Sequence, residues 1–380
     1  MAPVRIALFT PYAPNIGGAG TDYRSLLPHL RGAEIHWYYL AAAAVDYPGS
    51  TYLGPNILGG PILKDGANSF RLFVQHRHPR IDDCAKAMMD ASPGIVWVDA
   101  INEGILVGSR LLDRGVRHLH VSVHDDPAGL AAKSRRYRIF QPFIDRCARR
   151  LLLRAHTVDT VSEPMQAYYR KRWGVSSGYV YRYVDRIPAG VAKPAVVPTI
   201  YVGHVGSVYS MPEVVAFFGA LRNIEQTDGV RFKVLTFGKP PFSKVESEFP
   251  GLIENCGEVS EPEAVERLQQ CAFVYSMYSF APRHRIFRQT SQPTKMSTYL
   301  MAARPIFAHC PQGSSMIEMM SQFKLGICVS SLRREALVAG IRRILQFNLE
   351  IADVHAAIDH HCGQRNLDYL EHCFGLNPAG

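Results

Sequence analysis

The residues best suited to chemistry lie in segment 290–306, whose sequence TSQPTKMSTYLMAARPI predicts a polar loop, a short helix and a buried strand. Pro293 fits the first helical position, because the N–H group that proline lacks has no intrahelical partner there. Helical spacing then places Thr294, Lys295 and Thr298 on one face. A cation and hydroxyl groups beside a helix N-terminus are a favourable arrangement for binding a diphosphate.

The remaining faces of this helix indicate how it is held. Ser291 or Gln292 can cap its first amides. Apolar residues recur at helical spacing and predict packing against a core; they are Met296, Tyr299, Leu300 and Ala303. We therefore expect a helix that is fixed by its apolar face and presents its polar N-terminal end to an anion.

A glycine loop near the start of the chain is a second candidate phosphate site. Gly17 and Gly18 follow the predicted strand 4–9 and precede a leucine-containing helix, and glycines let backbone amides approach a phosphate. The spacing is not that of the dinucleotide fingerprint, and the second predicted strand is not followed by an acid. A nicotinamide cofactor is thus disfavoured. Taken alone, the loop is explained equally well by a turn that packs a helix on a strand.

Apolar segments alternate with helical patterns along the whole chain, which favours an α/β fold with doubly wound parallel sheets. The strands fall into two series, separated by a proline-rich stretch. The first series is 4–9, 35–40, 95–98, 119–123, 158–161 and 179–183; the second is 200–202, 232–237, 273–278, 305–308 and 326–329.

These series predict two Rossmann-like domains, as expected for 380 residues. We expect an N-terminal domain over 1–186, a linker that acts as a hinge over 187–198, a C-terminal domain over 199–355, and a final segment 356–380 that crosses back to the first domain. Ligands of such sheets bind beyond the carboxyl ends of the strands, so the cleft between the domains is the expected site. An acceptor pocket is expected in the loop 47–66.

Composition limits the class of protein. The net charge of +9 favours anionic ligands, among them nucleotides, phospholipid head groups and nucleic acid. The chain enters its first strand without a signal-peptide pattern and has no apolar run that could span a bilayer, which predicts a cytoplasmic protein. The eight scattered cysteines indicate neither a disulfide framework nor a zinc knuckle.

Two further clusters have competing interpretations. Three histidines, at 118, 120 and 124, alternate along one strand, but no carboxylate or cysteine joins them at ligand spacing, so no metal site is predicted. Arginines at 135, 136, 138, 146, 149, 150 and 154 form a basic stripe. It is either the solvated face of a helix packed through Ile144, Ala148, Leu151 and Leu152 or a surface that contacts an anionic membrane. Stacking aromatics are not interleaved with it, so nucleic acid is disfavoured.

Five motifs, taken together and in order, resemble those of the retaining family-four (group 1) GT-B glycosyltransferases. They are the Gly17-Gly18 loop, Val123-His124-Asp125, Val161-Ser162-Glu163, Val202-Gly203 with Gly206-Ser207, and segment 293–306. The resemblance implies two Rossmann-like domains facing across a cleft, with the acceptor on the first and the nucleotide-sugar donor on the second. It also implies transfer of the sugar to an acceptor hydroxyl of a glycan, a lipid-linked saccharide or a small molecule, without a metal ion.

The resemblance also suggests roles for individual residues. His124 would hydrogen-bond the donor sugar near the reacting carbon, while the carboxylates of Asp125 and Asp126 could instead provide the base of an inverting enzyme, so the stereochemistry stays open. Lys295 and the Gly17-Gly18 amides would stabilise the leaving diphosphate. The predicted donor-binding residues are Gly17, Gly18, Gly203, Ser207, Arg288, Thr290, Lys295 and Thr298.

The sequence departs from the family where the donor is held. Family members usually carry two glutamates, which contact the sugar and the ribose; Thr290 and Thr298 stand in those places. The usual basic pair after the first strand of the second domain is also not evident, so the substitute candidates are Lys295 with Arg283, Arg285 or Arg288. Because a threonine binds ribose hydroxyls less well than a carboxylate, we expect a dTDP- or UDP-sugar, with dTDP losing least.

Two alternatives remain at this stage. The chain could bind a nucleotide or glycan without catalysis, or use the GT-B fold for a non-glycosidic coupling. If it is an enzyme working on a lipid-linked acceptor, it is expected at the inner face of a membrane.

Overall fold

The computed structural model describes residues 2–57, 67–132, 138–191, 198–239, 242 and 245–376. The chain divides into two compact units. The first unit comprises Met1–Tyr183, Pro282–Gln292 and Gly363–Gly380, and the second comprises Val184–Ala281 and Pro293–Cys362. Parts of four predicted features lie outside the described residues: 58–66 of the acceptor loop, 135–136 of the basic stripe, 192–197 of the linker and 377–380 of the final segment.

The first unit contains a seven-stranded parallel sheet in the order β3-β2-β1-β4-β5-β6-β7. Its strands are β1 Val4–Thr10, β2 Ala33–Tyr39, β3 Ser50–Tyr52, β4 Ile95–Asp99, β5 Leu119–Val123, β6 Thr157–Thr160 and β7 Gly178–Tyr179. Its helices are α1 Ala19–Leu26, α2 Ala67–Gln75, α3 Pro79–Asp90, α4 Glu103–Asp113, α5 Pro127–Ala132, α6 Gln141–Arg154, α7 Glu163–Trp173, α10 Arg285–Thr290 and α15 Gln364–Cys373.

The second unit contains a six-stranded parallel sheet in the order β10-β9-β8-β11-β12-β13. Its strands are β8 Thr199–Val205, β9 Arg231–Phe237, β10 Ile253–Asn255, β11 Phe273–Met277, β12 Ile306–His309 and β13 Gly326–Val329. Its helices are α8 Met211–Asp228, α9 Glu261–Leu268, α11 Lys295–Ala302, α12 Ser315–Phe323, α13 Arg334–Leu345 and α14 Ile351–Cys362.

Ten of the eleven predicted strands are present, because parallel strands covered on both faces are largely apolar. The strand predicted over 179–183 is wrong in extent, since β7 is only Gly178–Tyr179. The central strands β4 and β5 are buried at each of their five residues. The strands that the sequence did not reveal, β3 and β10, are three-residue edge strands with no fully buried side chain. A strand that covers so little of the core needs no apolar run, so its sequence shows no strand pattern.

The candidate helix α11 starts later than the sequence predicts. It begins at Lys295 rather than at Pro293. The carbonyl of Pro293 accepts a hydrogen bond from the Met296 amide at 3.0 Å, so a single tighter turn precedes the helix. The apolar face predicted for this helix is confirmed, since Met296, Tyr299, Leu300 and Ala303 are all buried.

The described parts of the chain contain no helix that is both long enough and apolar enough to cross a bilayer. The eight cysteines are free thiols.

Candidate functional site

Lys295 lies at the carboxyl end of the second unit's sheet, at the first turn of α11. Its side chain is only 6% exposed. The ammonium donates a 2.6 Å hydrogen bond to the carbonyl of Ser207 and lies 5.0 Å from the centre of the Tyr209 ring. Tyr299 fixes the helix on the sheet, because its hydroxyl accepts from the Val205 amide at 3.1 Å and donates to a β11 carbonyl at 2.9 Å. The sequence thus positions a buried cation where α/β sheets bind ligands.

The charge of Lys295 has no acidic partner in the described part of the chain. Among the residues that the structure describes, no carboxylate lies within ion-pair distance of its Nζ atom. Burial lowers the pKa of Lys295 to about 7. Burial, and then the nearby lysine, also lower the pKa of His204 well below its ordinary value, so this histidine is neutral and does not compete for an anion. An anionic ligand would stabilise the ammonium and raise its pKa again.

The glycines near Lys295 serve different purposes. Gly203 lies within β8, and a Cβ atom there would be 2.2 Å from a methyl group of Leu268, so close packing alone accounts for this glycine. Gly206 has a φ of +70°, and no atom lies within 4 Å of the position of a Cβ atom. Beside it, Ser207 is exposed. The sheet edge therefore has open space next to Gly206, whereas the donor-binding role predicted for Gly203 stays a prediction.

Thr298 lies one helical turn beyond Lys295 and has a partner that the sequence did not indicate. Its hydroxyl donates a 2.8 Å hydrogen bond to the carboxylate of Glu261, the first residue of α9. Thr298 is buried and Glu261 is half-buried. The two residues are distant in sequence, so only the packing of α9 on α11 reveals the pair.

The Gly17-Gly18 loop lies in the first unit, directly before α1. Gly18 is the N-cap residue and has φ +68° and ψ −131°, a conformation that favours glycine. A Cβ atom at Gly17 or Gly18 would meet nothing within 4 Å. Arg24 holds the loop, since its guanidinium donates to the carbonyls of Pro14 and Ile16. A fixed loop with open space around its glycines is compatible with the predicted phosphate contact.

His124 lies beyond the end of β5 between two buried carboxylates. Its Nδ1 atom is 3.4 Å from Asp99 and its Nε2 atom is 3.8 Å from Asp22. Burial opposes a charge on the imidazole, but Asp99 and then Asp22 outweigh this effect and raise the pKa of His124 to about 9. Tyr12 donates a hydrogen bond to the same Asp99. The side chain is 12% exposed, so at neutral pH the site presents an imidazolium, which donates hydrogen bonds and cannot act as a base.

The other predicted residues of this region are held by hydrogen bonds within the first unit. Asp125 accepts a 2.6 Å hydrogen bond from the hydroxyl of Ser291. Thr290 is buried, and its hydroxyl donates to the carbonyl of Ile286 at 2.8 Å within α10. Arg288 is half-buried on the same helix. The structure therefore groups Thr290 and Arg288 with His124 and Asp125 in the first unit, whereas Lys295 and Thr298 belong to the second.

The structure also shows the surroundings of the histidine cluster and of the basic stripe. His120 is 2.6 Å from the carboxylate of Asp159 in the core. Within the described residues, no group of three or more metal-ligating side chains is arranged to hold an ion. In the basic stripe, Arg150 and Arg154 both lie 2.7 Å from Asp113, which reduces their net charge. The predicted apolar face of α6 is confirmed, since Ile144, Ala148, Leu151 and Leu152 are buried.

No protein-family model matches the chain, and no curated protein matches it by sequence. Solved structures do match it along almost its whole length. An α,α-trehalose-phosphate synthase (UDP-forming) from Burkholderia xenovorans, in complex with glucose-6-phosphate, has a TM-score of 0.66 at 12% identity, covering 98% of this chain and 100% of that one. Anabaena Alr3699/HepE in complex with UDP and glucose has a TM-score of 0.66 at 14% identity, covering 97% and 99%.

A third match is the lipopolysaccharide outer core galactosyltransferase WaaB in its apo form, with a TM-score of 0.63 at 13% identity, covering 98% of this chain and 99% of that one. Identities this low show the fold alone. The two parallel sheets and these matches together establish that the chain has the α/β GT-B fold predicted from its sequence, and that its structural neighbours are glycosyltransferases.

Proposed function

We propose that this chain is a glycosyltransferase that moves a sugar from a nucleoside diphosphate donor to an acceptor hydroxyl. The observation that carries the proposal is the buried ammonium of Lys295, which has a pKa of about 7 and no carboxylate partner among the described residues. Burying a cation without a counter-ion is unfavourable, so such a group is best explained by an anion that arrives with the substrate.

The ammonium suits the chemistry of glycosyl transfer. The bond between the anomeric carbon and the diphosphate oxygen breaks, and the diphosphate leaves with the bonding electrons and gains negative charge. The acceptor oxygen forms the new bond to carbon and gives its proton to a base. Lys295, protonated by the approach of the diphosphate, stabilises the developing charge from a position that is only 6% exposed. Lys295 would then stabilise the leaving diphosphate in place of a metal ion, so activity should survive EDTA.

We assign His124 a role as hydrogen-bond donor to the donor sugar near the reacting carbon. Asp22 and Asp99 keep it protonated, so it can orient hydroxyl groups but cannot take the acceptor proton. Asp125 remains the candidate base of an inverting reaction. The stereochemistry and the predicted location of the reaction between the domains stay predictions.

The structural neighbours support the class of substrate. One is in complex with UDP and glucose, and another is described as UDP-forming and holds glucose-6-phosphate. We therefore propose a nucleotide-sugar donor together with a glycan, lipid-linked saccharide or small-molecule acceptor. Polysaccharide biosynthesis would be one setting for such a reaction.

A surface of the first unit supports a lipid-linked acceptor. Phe70, Phe73 and Val74 on α2 are 42%, 43% and 57% exposed, and Ile139 is 74% exposed. Phe140 joins them, with ring centres 5.3 Å from Phe70 and 5.1 Å from Phe73. We call these five residues the aromatic patch. Exposed arginines lie near these elements in the chain: Arg77 just after α2, Arg138 just before α6, and Arg146 and Arg149 on α6.

An apolar patch of this kind beside positive charge fits the interface of an anionic membrane, where aromatic side chains enter the head-group layer and arginines bind phosphates. We propose that the aromatic patch docks the enzyme on the cytoplasmic face of such a membrane. This account places the membrane contact on α2 and the turn before α6, because two arginines of the predicted stripe are already paired with Asp113.

The experiment that tests the proposed activity is a turnover assay with UDP-, GDP- and dTDP-sugars and a panel of acceptors. We expect release of nucleoside diphosphate from one donor, unaffected by EDTA. Lys295→Met should abolish release, while Lys233→Met, which changes an exposed lysine of the same unit, should leave it unchanged. Nucleotide binding without turnover would favour the non-catalytic alternative, and mass spectrometry of the product would reveal a non-glycosidic coupling.

A further inference from the structure

The hydrogen bond between Thr298 and Glu261 bears on which nucleoside the donor carries. This inference rests on the proposed function, since it takes Lys295 as the diphosphate contact. Lys295 and Thr298 are three residues apart on one helix, so they lie on the same face and about 4.5 Å apart along its axis. The carboxylate that Thr298 holds is therefore close to one helical turn from the phosphate position.

That separation matches the covalent structure of a nucleotide. The 2′- and 3′-hydroxyls lie one furanose ring and one methylene group from the phosphate, comparable to one helical turn of about 5.4 Å. A carboxylate at this distance accepts hydroxyl hydrogens without facing the phosphate charge directly. The same carboxylate at the phosphate position would instead repel the donor.

Thr298 and Glu261 have different hydrogen-bonding capacities. Thr298 has a single hydroxyl hydrogen, and it is used in the 2.8 Å bond to Oε1 of Glu261. An ionised carboxylate has about four acceptor positions, so it can accept hydrogen bonds from a threonine and from ribose hydroxyls at the same time. The start of α9 is fixed independently, because the hydroxyl of Ser260 accepts from the Glu263 amide at 3.4 Å. Glu261 is thus held by its own helix and by the neighbouring one.

We propose that Glu261, oriented by Thr298, accepts hydrogen bonds from the ribose hydroxyls of the donor, and that the donor is therefore a ribonucleoside diphosphate sugar. In this account Thr298 is a positioning residue and does not contact the ribose itself. The preference for a deoxyribose donor, which follows if threonine alone faces the sugar, is then reversed. Of the two donors considered from the sequence, UDP-sugar is favoured over dTDP-sugar.

The test compares nucleotides that differ only at the 2′ position. Calorimetric titrations would use UDP and GDP, each with its 2′-deoxy counterpart, on the wild-type chain. We expect the ribonucleotide of one pair to bind about tenfold more tightly or better, the range for a hydrogen bond to a charged group. Glu261→Gln should remove most of that difference and leave the affinity for the deoxynucleotide nearly unchanged.

Two variants separate this role from a structural one. Thr298→Val removes the orienting hydroxyl with little change of volume, and it should reduce the preference for ribose only in part. Glu266→Gln changes an exposed glutamate on the same helix and should have no effect. Equal affinity of the wild type for ribose and deoxyribose forms would overturn the inference while the proposed function survives. No binding of any of the four nucleotides would reject both.

Discussion

The ammonium of Lys295 lies 2.6 Å from the carbonyl oxygen of Ser207, inside a site that leaves the lysine only 6% exposed. One carbonyl oxygen does not compensate a full charge in such a place. The lysine is therefore a functional group that the folded chain stabilises poorly until a ligand arrives. Sites of this kind exchange stability for activity.

Replacing Lys295 by methionine should stabilise the unliganded chain. The pKa of Lys295 is about 7 in the folded chain and about 10.5 when unfolded. Between these values the unfolded state binds more protons, so the contribution of Lys295 to stability rises with pH from about 7 to about 10. At pH 6.5 we expect Lys295→Met to raise the free energy of unfolding by on the order of a few kcal/mol, and with it the Tm, with a smaller gain at pH 9.

Thermal unfolding between pH 6 and 9 measures this effect, with Lys233→Met as the control for removal of an exposed lysine. A lower Tm for Lys295→Met at pH 6.5 would show that the buried ammonium is already satisfied in the unliganded protein.

The imidazolium of His124 should limit activity at high pH. Its pKa is raised to about 9, so its ion pairs with Asp99 and Asp22 contribute fully below about pH 6.5 and are lost as the pH rises through 9. Turnover should fall over the same pH range. Asp99→Asn should lower the pKa of His124, so that turnover falls at a lower pH. Asp22→Asn should have the same effect more weakly, because the Asp22 carboxylate is more distant from the imidazole.

NMR titration of the His124 ring reports this pKa without relying on activity. An imidazole that titrates near pH 6.5 in the wild type would exclude the role of cationic donor.

The two glycines of the first loop should respond differently to alanine. Gly18 has φ +68° and ψ −131°, which an alanine adopts only with strain, whereas Gly17 is not in a left-handed conformation. No atom lies within 4 Å of a Cβ position at either glycine, so a difference in stability between the two variants reports backbone strain and not a steric clash. We expect Gly18→Ala to lower the free energy of unfolding by about 1–2 kcal/mol and Gly17→Ala to change it little. Urea unfolding measures both, and equal effects would contradict the strained conformation.

The aromatic patch should bind anionic vesicles. Phe70→Ser combined with Phe73→Ser removes its two most exposed rings, and Ile139→Ser removes its most exposed side chain. Co-sedimentation with vesicles of phosphatidylcholine, with and without phosphatidylglycerol, should show binding only to the anionic vesicles, and these changes should weaken it several-fold. Leu332→Ser, which removes a comparably exposed apolar side chain of the second unit, is the control. Wild-type protein that stays in solution with both vesicle types would refute the proposed membrane contact.

The sequence predicts elements that fill the core and misses those that do not. Residues 95–98 of the buried strand β4 form a continuous apolar run, while β3 at the sheet edge has none. The same distinction applies to the site. The sequence predicted that Lys295 and Thr298 share a helix face, because they are one helical turn apart. Glu261 lies in another element and becomes the hydrogen-bond partner of Thr298 only when α9 packs on α11.

The first unit gives a second example. His124 could be singled out at the end of its strand, but its charge state could not. Asp22 and Asp99, which set its pKa, come from separate elements that meet only in the folded unit. For Thr290, the sequence predicted a ligand contact, but its hydroxyl is already bonded within α10. The contacts of His124 depend on tertiary structure and leave no periodic signal, whereas the Thr290 hydrogen bond is local to α10.

The central claim is that Lys295 binds the diphosphate of a nucleotide. The most direct measurement is a calorimetric titration of UDP, GDP and dTDP into the wild-type chain, Lys295→Met and Lys233→Met at pH 6.5. We expect at least one nucleotide to bind to the wild type and to Lys233→Met, and Lys295→Met to lose at least about tenfold in affinity, as expected for a charged contact with phosphate. Binding that Lys295→Met retains in full, or no binding of any of the three to the wild type, would contradict the account.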